Sequence, residues 1–287
     1  MKKFGLIGCP IAHSLSPALF KSGYHHRCDL TYDLIEEEDF SNAWQKFLDG
    51  YDGINVTAPF KEQAFAMADI IDPVCGQIGA TNLLVKTGEG IKAYNTDYYG
   101  IILSILKTLD PATGIKERPS AEECREAVRN RLHTALVVGC GGAGKAAAVA
   151  AGSLGLETTL MNRTAAKAEA IAAGLPEYRF TVRRLEDFRE CFAAADLVLY
   201  TLPAPTAGIY ELTDSDFSPA GTEKILLEAN YRNPSFTAET ISRQMYIQHR
   251  FRYIEGIQWL LYQAYAGYDL FTGEVPDLIK MENAVIK

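Results

Sequence analysis

Short apolar runs that break off at glycine, proline or polar clusters recur along this chain of 287 residues. They have the length of buried strands, and stretches of helical periodicity lie between them. Phe4-Gly5-Leu6-Ile7-Gly8 meets Cys9-Pro10 and reads as a first parallel-type strand with a loop at its carboxyl end. The loop continues as His13-Ser14-Leu15-Ser16-Pro17, with Ser16 placed as an N-cap and Pro17 at the first helical position. Residues 30–35 form a second strand, and the acidic residues 36–39 lead into an amphipathic helix around Trp44, Phe47 and Leu48. Ile54 and Val56 suit a third strand; Pro59 cannot continue a central one, so residues 57–61 form its carboxyl-end loop. From 62 to 71 the pattern predicts a helix with Ala64, Phe65, Ala68 and Ile71 on one face, ended by Asp72-Pro73. A hairpin follows over 83–94 around Thr87-Gly88-Glu89-Gly90. Asn95-Thr96-Asp97 then precedes an apolar helix at 101–106, for which Asp97 can serve as N-cap.

The character changes at 108–133, where Pro111, Gly114 and Pro119 break the pattern and residues 121–131 are highly charged. This predicts a domain boundary with an exposed helix or ordered insertion. A new strand at 135–138 meets Gly139-Cys140-Gly141-Gly142-Ala143-Gly144 and a helix over 145–154. Further strands are expected at 158–161, 196–201 and 224–228, the last two meeting Leu202-Pro203 and Ala229-Asn230-Tyr231. In the helix over 257–270, Ile257, Leu260, Leu261 and Ala264 should pack on a core, and Gln263 is the polar exception. Strands alternating with helices in both halves indicate an α/β protein of two domains, each an open sheet.

Composition agrees, with 48% hydrophobic and 22% charged residues. A formal charge of −8 gives no footprint for nucleic acid or an anionic membrane, so an anionic ligand needs a local basic pocket. The six cysteines show neither CxxC pairing nor metal-ligand spacing. Reduced thiols in a cytoplasmic compartment, and no metal, are therefore expected. Met1-Lys2-Lys3 runs directly into a strand, unlike a signal peptide, and residues 135–156 read as strand, turn and helix, not as a membrane span.

Ligands of open α/β sheets sit at the carboxyl ends of the strands. Lys61 stands at such an end, where a lysine can donate a proton or hold an anion. Asn55 and Thr57 beside it can hydrogen-bond a polar substrate. The hydroxyls of Ser14 and Ser16 suit a polyhydroxylated ligand. Residues 139–144 fit G-x-G-x-x-G in its proper setting, with a tight turn, close backbone approach and a helix N-terminus for a pyrophosphate. Where an NAD-preferring fold carries an acidic residue on the ribose, this chain has Asn162 and Arg163. The choice therefore falls on NADP, with Arg163 and Lys167 as candidates for the 2′-phosphate.

The order of these pieces resembles the shikimate dehydrogenase family over nearly the whole chain. The resemblance is carried by His13-Ser14-Leu15-Ser16-Pro17, Asn55-Val56-Thr57-Ala58-Pro59-Phe60-Lys61, Gly79-Ala80-Thr81-Asn82, Asn95-Thr96-Asp97, the glycine loop, Asn162-Arg163-Thr164, and Glu255-Gly256-Ile257 leading to Gln263. It implies an N-terminal, mainly parallel open-sheet substrate domain over 1–106, rejoined by the C-terminal segment 256–287, and a Rossmann NADP-binding domain over 107–255. The implied activity is NADPH-dependent reduction of 3-dehydroshikimate to shikimate in aromatic amino acid biosynthesis. Lys61 and Asp97 match the family's catalytic pair, and Ser14, Ser16, Thr57, Asn82, Tyr231 and Gln263 its substrate-binding residues. The cofactor set is Gly139, Gly141, Gly142, Ala143, Gly144, Asn162, Arg163, Thr164, Lys167 and Gly256. The expected partner is the small-molecule substrate, with no nucleic acid and no membrane, in a monomer or homodimer. The alternatives are a quinate/shikimate dehydrogenase using NAD or NADP, which the serine pair argues against, and a non-catalytic binding protein on the same fold, which the intact Lys61 and Asp97 argue against. The chain departs from the family pattern where the usual Asn-Ala-Thr reads Tyr200-Thr201-Leu202 and the usual Asp ahead of the substrate tyrosine is Glu228.

Overall fold

The structure, a computed structural model, describes residues 1–112, 114, 116–218 and 223–285. Two compact units divide the chain, Met1–Gly100 with Leu260–Lys287, and Ile101–Trp259.

In the first unit the chain runs β1 (Lys2–Gly8), α1 (Ser16–Gly23), β2 (Leu30–Glu36), α2 (Phe40–Gly50), β3 (Gly53–Val56), α3 (Lys61–Ala66), β4 (Ile70–Ile71), α4 (Pro73–Ile78), β5 (Leu83–Thr87) and β6 (Gly90–Tyr94). The strands form one sheet in the order β2-β1-β3-β5-β6-β4. It is mixed: β1 pairs in parallel with β2 and β3, and β4 with β6, whereas β3–β5 and β5–β6 are antiparallel. This register decides where the site lies. Asn55 near the end of β3 faces Leu83 at the start of β5, and Leu83 faces Tyr94 at the end of β6. The loops after β1, β3 and β6 and the approach to β5 therefore share one sheet edge, carrying Ser14, Thr57, Lys61, Asn82 and Asp97. One face packs Ile7, Trp44, Phe47, Ile54, Val56, Phe60 and Leu84 into a core. Against the other lies an aromatic group of Phe4, Phe20, Tyr268 and Phe271. A Cβ on Gly53 would stand 2.7 Å from the Phe271 ring, so the small residue lets that ring lie on the strand.

α5 (Asp97–Leu109) runs from the first unit into the second, which continues with α6 (Ala121–Val128), β7 (Thr134–Val138), α7 (Gly142–Ser153), β8 (Glu157–Met161), α8 (Ala165–Gly174), β9 (Phe180–Arg183), α9 (Phe188–Ala194), β10 (Leu197–Tyr200), β11 (Lys224–Glu228), α10 (Ala238–Ile247) and β12 (Phe251–Ile254). Then α11 (Gly256–Thr272) returns the chain to the first unit, followed by α12 (Leu278–Val285). The second sheet is wholly parallel in the order β12-β11-β10-β7-β8-β9. Counted from β7 this is the doubly wound dinucleotide-binding order, which reverses between β7 and β10. Leu136, Val138, Phe188, Phe192, Val198, Tyr200, Phe217 and Leu226 fill one side of its core. No helix among the described residues is long and apolar enough to cross a membrane.

Several local expectations need correction. The helix expected over 62–71 stops at Ala66, because Ile70 and Ile71 pair with β6 and the Asp69 carboxylate accepts from Ile91 N–H at 2.8 Å. Asp72 does not close that helix. It caps the next, α4, accepting from Val74 and Cys75 N–H. Ser16 is the first helical residue of α1, not its cap; its own N–H donates to Ser14 Oγ at 3.2 Å. Asp97 likewise opens α5 from inside the helix. Leu48 on α2 is exposed, leaving Trp44, Phe47 and Ala43 as its buried face. In the 108–133 segment a capping box at Ser120 and Glu123 starts α6, while residues 113 and 115 lie outside the described residues.

Candidate active site

Lys61 opens α3 directly after the loop that leaves β3, and its ammonium donates to Asp97 Oδ2 at the start of α5. The pair is mostly shielded, with side chains 17% and 10% exposed. Asn82 holds the other carboxylate oxygen: its Nδ2 donates to Asp97 Oδ1 at 3.1 Å, to Gln263 Oε1 at 2.7 Å and to Thr96 Oγ1 at 3.1 Å. Thr96 N–H donates back to Asn82 Oδ1 at 2.7 Å, which fixes the orientation of the amide. Asn82 thus ties β5, α5 and α11 together behind the ion pair. Asp97 accepts from an ammonium on one oxygen and an amide on the other, so it orients Lys61 from a fixed position.

The serine loop lies beside these groups because β1 and β3 run in parallel. Cys9 N–H donates to Ala58 O at 3.2 Å, and Thr57 N–H to Ile7 O at 3.0 Å. Glu36, at the end of β2, accepts from Ile11 and Ala12 N–H at 2.7 and 2.8 Å, which holds the near end of the loop. At its far end Ser14 Oγ donates to Ser16 Oγ at 3.1 Å. Asn55, buried between the two regions, accepts from Tyr32 Oη at 2.7 Å and donates to Asn82 O at 3.1 Å. Ser14, Ser16, Thr57, Lys61, Asn82, Asp97 and Gln263 therefore all belong to the first unit. Glu36, Tyr32, Asn55 and Thr96 support them. The sequence signal for Thr96 and Asn55 was their place inside the quoted motifs; Glu36 and Tyr32 gave none.

In the second unit the glycine loop leaves β7 at the point where the strand order reverses. Gly139 has φ of +104°, which a side chain rarely adopts, and a Cβ on Gly144 would fall 2.0 Å from Gly139 O. Nothing lies within 4 Å of the corresponding position on Gly141, so the backbone there is open to a ligand at the N-terminus of α7. Ala143 lies in the first turn of that helix. Asn162 accepts from Cys140 N–H at 3.1 Å and donates to Thr164 O at 3.0 Å, which joins the glycine loop to the end of β8. Arg163 and Lys167 are exposed there and carry no ion-pair partner among the described residues. An open backbone and two free cations fit a pyrophosphate and a further phosphate. Tyr231 follows β11, and Gly256 starts α11, where a Cβ would stand 2.3 Å from Ala229 O.

Comparison with known proteins agrees with this arrangement. Residues 6–84 match the family described as shikimate dehydrogenase substrate binding domain, and residues 123–220 that described as shikimate / quinate 5-dehydrogenase. The shikimate dehydrogenase (NADP(+)) of Moorella thermoacetica is 33% identical over 98% of this chain and 91% of its own. The chain belongs to the shikimate dehydrogenase family. A Bacillus cereus shikimate dehydrogenase (NADP(+)) is 30% identical over 99% of this chain and 97% of its own. The Thermus thermophilus shikimate 5-dehydrogenase, solved in complex with NADP(H) and shikimate, superposes with a TM-score of 0.76 at 27% identity, covering 99% of this chain and 98% of that one.

Within the shikimate dehydrogenase family pattern, the departures at 200–202 and 228 have structural partners here. Tyr200 Oη donates to Ala204 O at 2.8 Å and accepts from Thr206 N–H at 2.9 Å, closing the loop after β10 on itself. Thr201 Oγ1 donates to Val138 O at 3.0 Å and Gly139 O at 3.3 Å, which pins the start of the glycine loop. Glu228 is fully buried and accepts from Ser235 N–H, from Phe236 N–H at 3.3 Å and from Tyr253 Oη at 3.0 Å. Its carboxylate shapes the 229–236 loop that carries Tyr231.

Proposed function

We propose that this member of the shikimate dehydrogenase family reduces 3-dehydroshikimate to shikimate with NADPH, as a cytoplasmic enzyme of aromatic amino acid biosynthesis acting as a monomer or homodimer. The observation that carries the reading is the Lys61–Asp97 pair, braced by Asn82 and Gln263 at the edge of the first sheet. The relatives' names and the near-complete coverage support it from a second side.

NADPH, when bound, supplies a hydride to the substrate's ketone carbon. The oxygen then carries developing negative charge and needs a proton or a fixed positive charge at once. Lys61 Nζ provides either, and Asp97 keeps the ammonium aimed while Asn82 keeps Asp97 aimed. Ser14 and Ser16 hold the substrate carboxylate, and Thr57, Asn82 and Gln263 its hydroxyl-bearing ring. The glycine loop with α7 would hold the pyrophosphate, Asn162 and Thr164 would shape the adjoining turn, and Arg163 and Lys167 would hold the 2′-phosphate. All six cysteines are free thiols, which supports the cytoplasmic setting.

The test is a spectrophotometric assay of the purified protein crossing shikimate and quinate with NADP and NAD. Turnover should be greatest with shikimate and NADP. Failure of all four mixtures would reject an enzymatic role, and dominance of quinate with NAD would transfer the protein to the other activity of its family.

A further inference from the structure

The serine loop is held by a contact that the family motifs do not contain. Tyr268, on α11 five residues beyond Gln263, is 1% exposed, and its hydroxyl donates to Ser16 O at 3.1 Å. Tyr32, on β2, sends its hydroxyl to Asn55 Oδ1 at 2.7 Å. The two rings lie 5.9 Å apart with Phe20 against both, at 4.9 Å from Tyr32 and 5.1 Å from Tyr268. Ser14 Oγ donates to Ser16 Oγ, Tyr268 holds the carbonyl of Ser16, and Tyr32, whose ring packs on Tyr268, holds Asn55, which in turn reaches the carbonyl of Asn82 beside the Lys61–Asp97 pair. Burial raises both phenol pKa values, so each stays a neutral donor through the working range of pH.

Resting on the functional reading above, we propose that Tyr268 and Tyr32 are positioning residues for substrate, and that their hydroxyls set the orientation in which Ser14 and Ser16 receive the carboxylate. A tyrosine that merely filled an aromatic core would have its ring buried and its hydroxyl satisfied anywhere. Here both hydroxyls are directed at residues of the substrate edge, one at the serine loop and one at Asn55, which lies between that loop and Asn82. The aromatic packing itself needs only the rings, so the hydroxyls are separable from the fold.

Tyr268→Phe and Tyr32→Phe remove the hydroxyls and keep the rings. With shikimate and NADP, each variant should raise KM for shikimate about 5- to 30-fold, since the groups that meet the charged ligand lose a bond that holds them in place. The kcat should stay within about twofold and KM for NADP unchanged, because neither residue touches the reacting centre. With the carboxamide analogue of shikimate, which lacks the anionic group, variant and wild type should differ little in KM. Unchanged KM for shikimate, a parallel rise in KM for NADP, or an equal effect on acid and carboxamide would overturn the proposal and reduce the tyrosines to core residues. Thermal denaturation of each variant reports the fold separately, and Tyr32→Phe, whose ring is only partly buried, carries the test if Tyr268→Phe does not fold. Inactivity of the wild type on shikimate would reject the functional reading itself, whereas an active wild type with unmoved variants would reject this inference alone.

Discussion

Replacing Lys61 with alanine separates chemistry from binding at this site. The substitution removes the ammonium that Asp97 Oδ2 accepts from, and it leaves a carboxylate only 10% exposed beside Asn82. Two costs follow, of different kinds. Loss of a positioned general acid should slow turnover by about 100- to 10,000-fold, equivalent to about 3 to 5 kcal/mol of transition-state stabilisation. Loss of one partner of a mostly shielded pair should lower folding stability by about 1 to 3 kcal/mol, because the remaining charge is incompletely solvated. The second effect is too small to unfold a chain with two extensive cores, so the first is measurable on folded protein. Steady-state absorbance of the reduced nicotinamide gives kcat and KM, and calorimetric titration with shikimate shows whether binding persists. The serine loop and Asn82 are untouched, so shikimate should still bind. A turnover within about threefold of wild type would take Lys61 out of proton transfer. Loss of shikimate binding together with turnover would make it a substrate anchor in place of an acid.

Arg163→Ala should raise KM for NADP by about 10- to 100-fold while leaving that for NAD nearly unchanged, since a cation without a carboxylate partner among the described residues is available to the 2′-phosphate; an equal effect on both cofactors would refute the assignment. Thr201→Ala removes the bonds to Val138 O and Gly139 O, so KM should rise about 3- to 10-fold for NADP and NAD alike, with Thr201→Ser restoring it; selective loss of NADP would contradict a role in the glycine loop. Lys224 is buried at the start of β11, where its ammonium donates to Phe192 O at the end of α9, and burial outweighs the attraction of Asp196 and Asp216 to push its pKa down to about 8. At this site the unfolded chain therefore binds the extra proton between about pH 8 and the ordinary lysine value, so the contribution of Lys224 to stability rises with pH across that window. Urea denaturation should show wild type gaining stability relative to Lys224→Met as pH rises through that window; a constant difference between the two would mean that the buried amine titrates normally.

The second unit was legible in the sequence because each of its signals is local. A strand-length run, a glycine loop and a helix follow one another directly at 134–153, and the basic residues Arg163 and Lys167 stand just past the end of the next strand. The first unit was harder, since its site is assembled by register between strands far apart in sequence. That Asn55 faces Leu83, and Leu83 faces Tyr94, follows from antiparallel pairing, which no window around Lys61 contains. The helix expected over 62–71 failed for the same reason: the apolar positions fit a helical face, but Ile70 and Ile71 had a strand partner in β6. The serine loop shows a third limit, because its supports Glu36 and Tyr268 come from β2 and α11 and carry no motif of their own.

Tyr200 and Thr201 show why a departure from a family pattern need not mean a lost function. A motif reports residue types, whereas the loop needs hydrogen bonds at particular atoms. Thr201 Oγ1 reaches two carbonyls of the glycine loop at the β7–β10 switch point, and the nearest position for a Cβ on Gly139 lies 2.4 Å from that same oxygen. The threonine and the glycine are thus matched to each other: a side chain at 139 would displace the hydroxyl, and a shorter residue at 201 would leave the turn less restrained. Tyr200, one position earlier and fully buried, turns the other way and closes its own loop through Ala204 and Thr206. Substituting the family's residues singly at 200 or 201 should therefore weaken cofactor binding in this chain, and because the two side chains turn opposite ways and share no partner, the losses should add in the double variant. Recovery of binding in the double variant would show that the two positions are coupled after all.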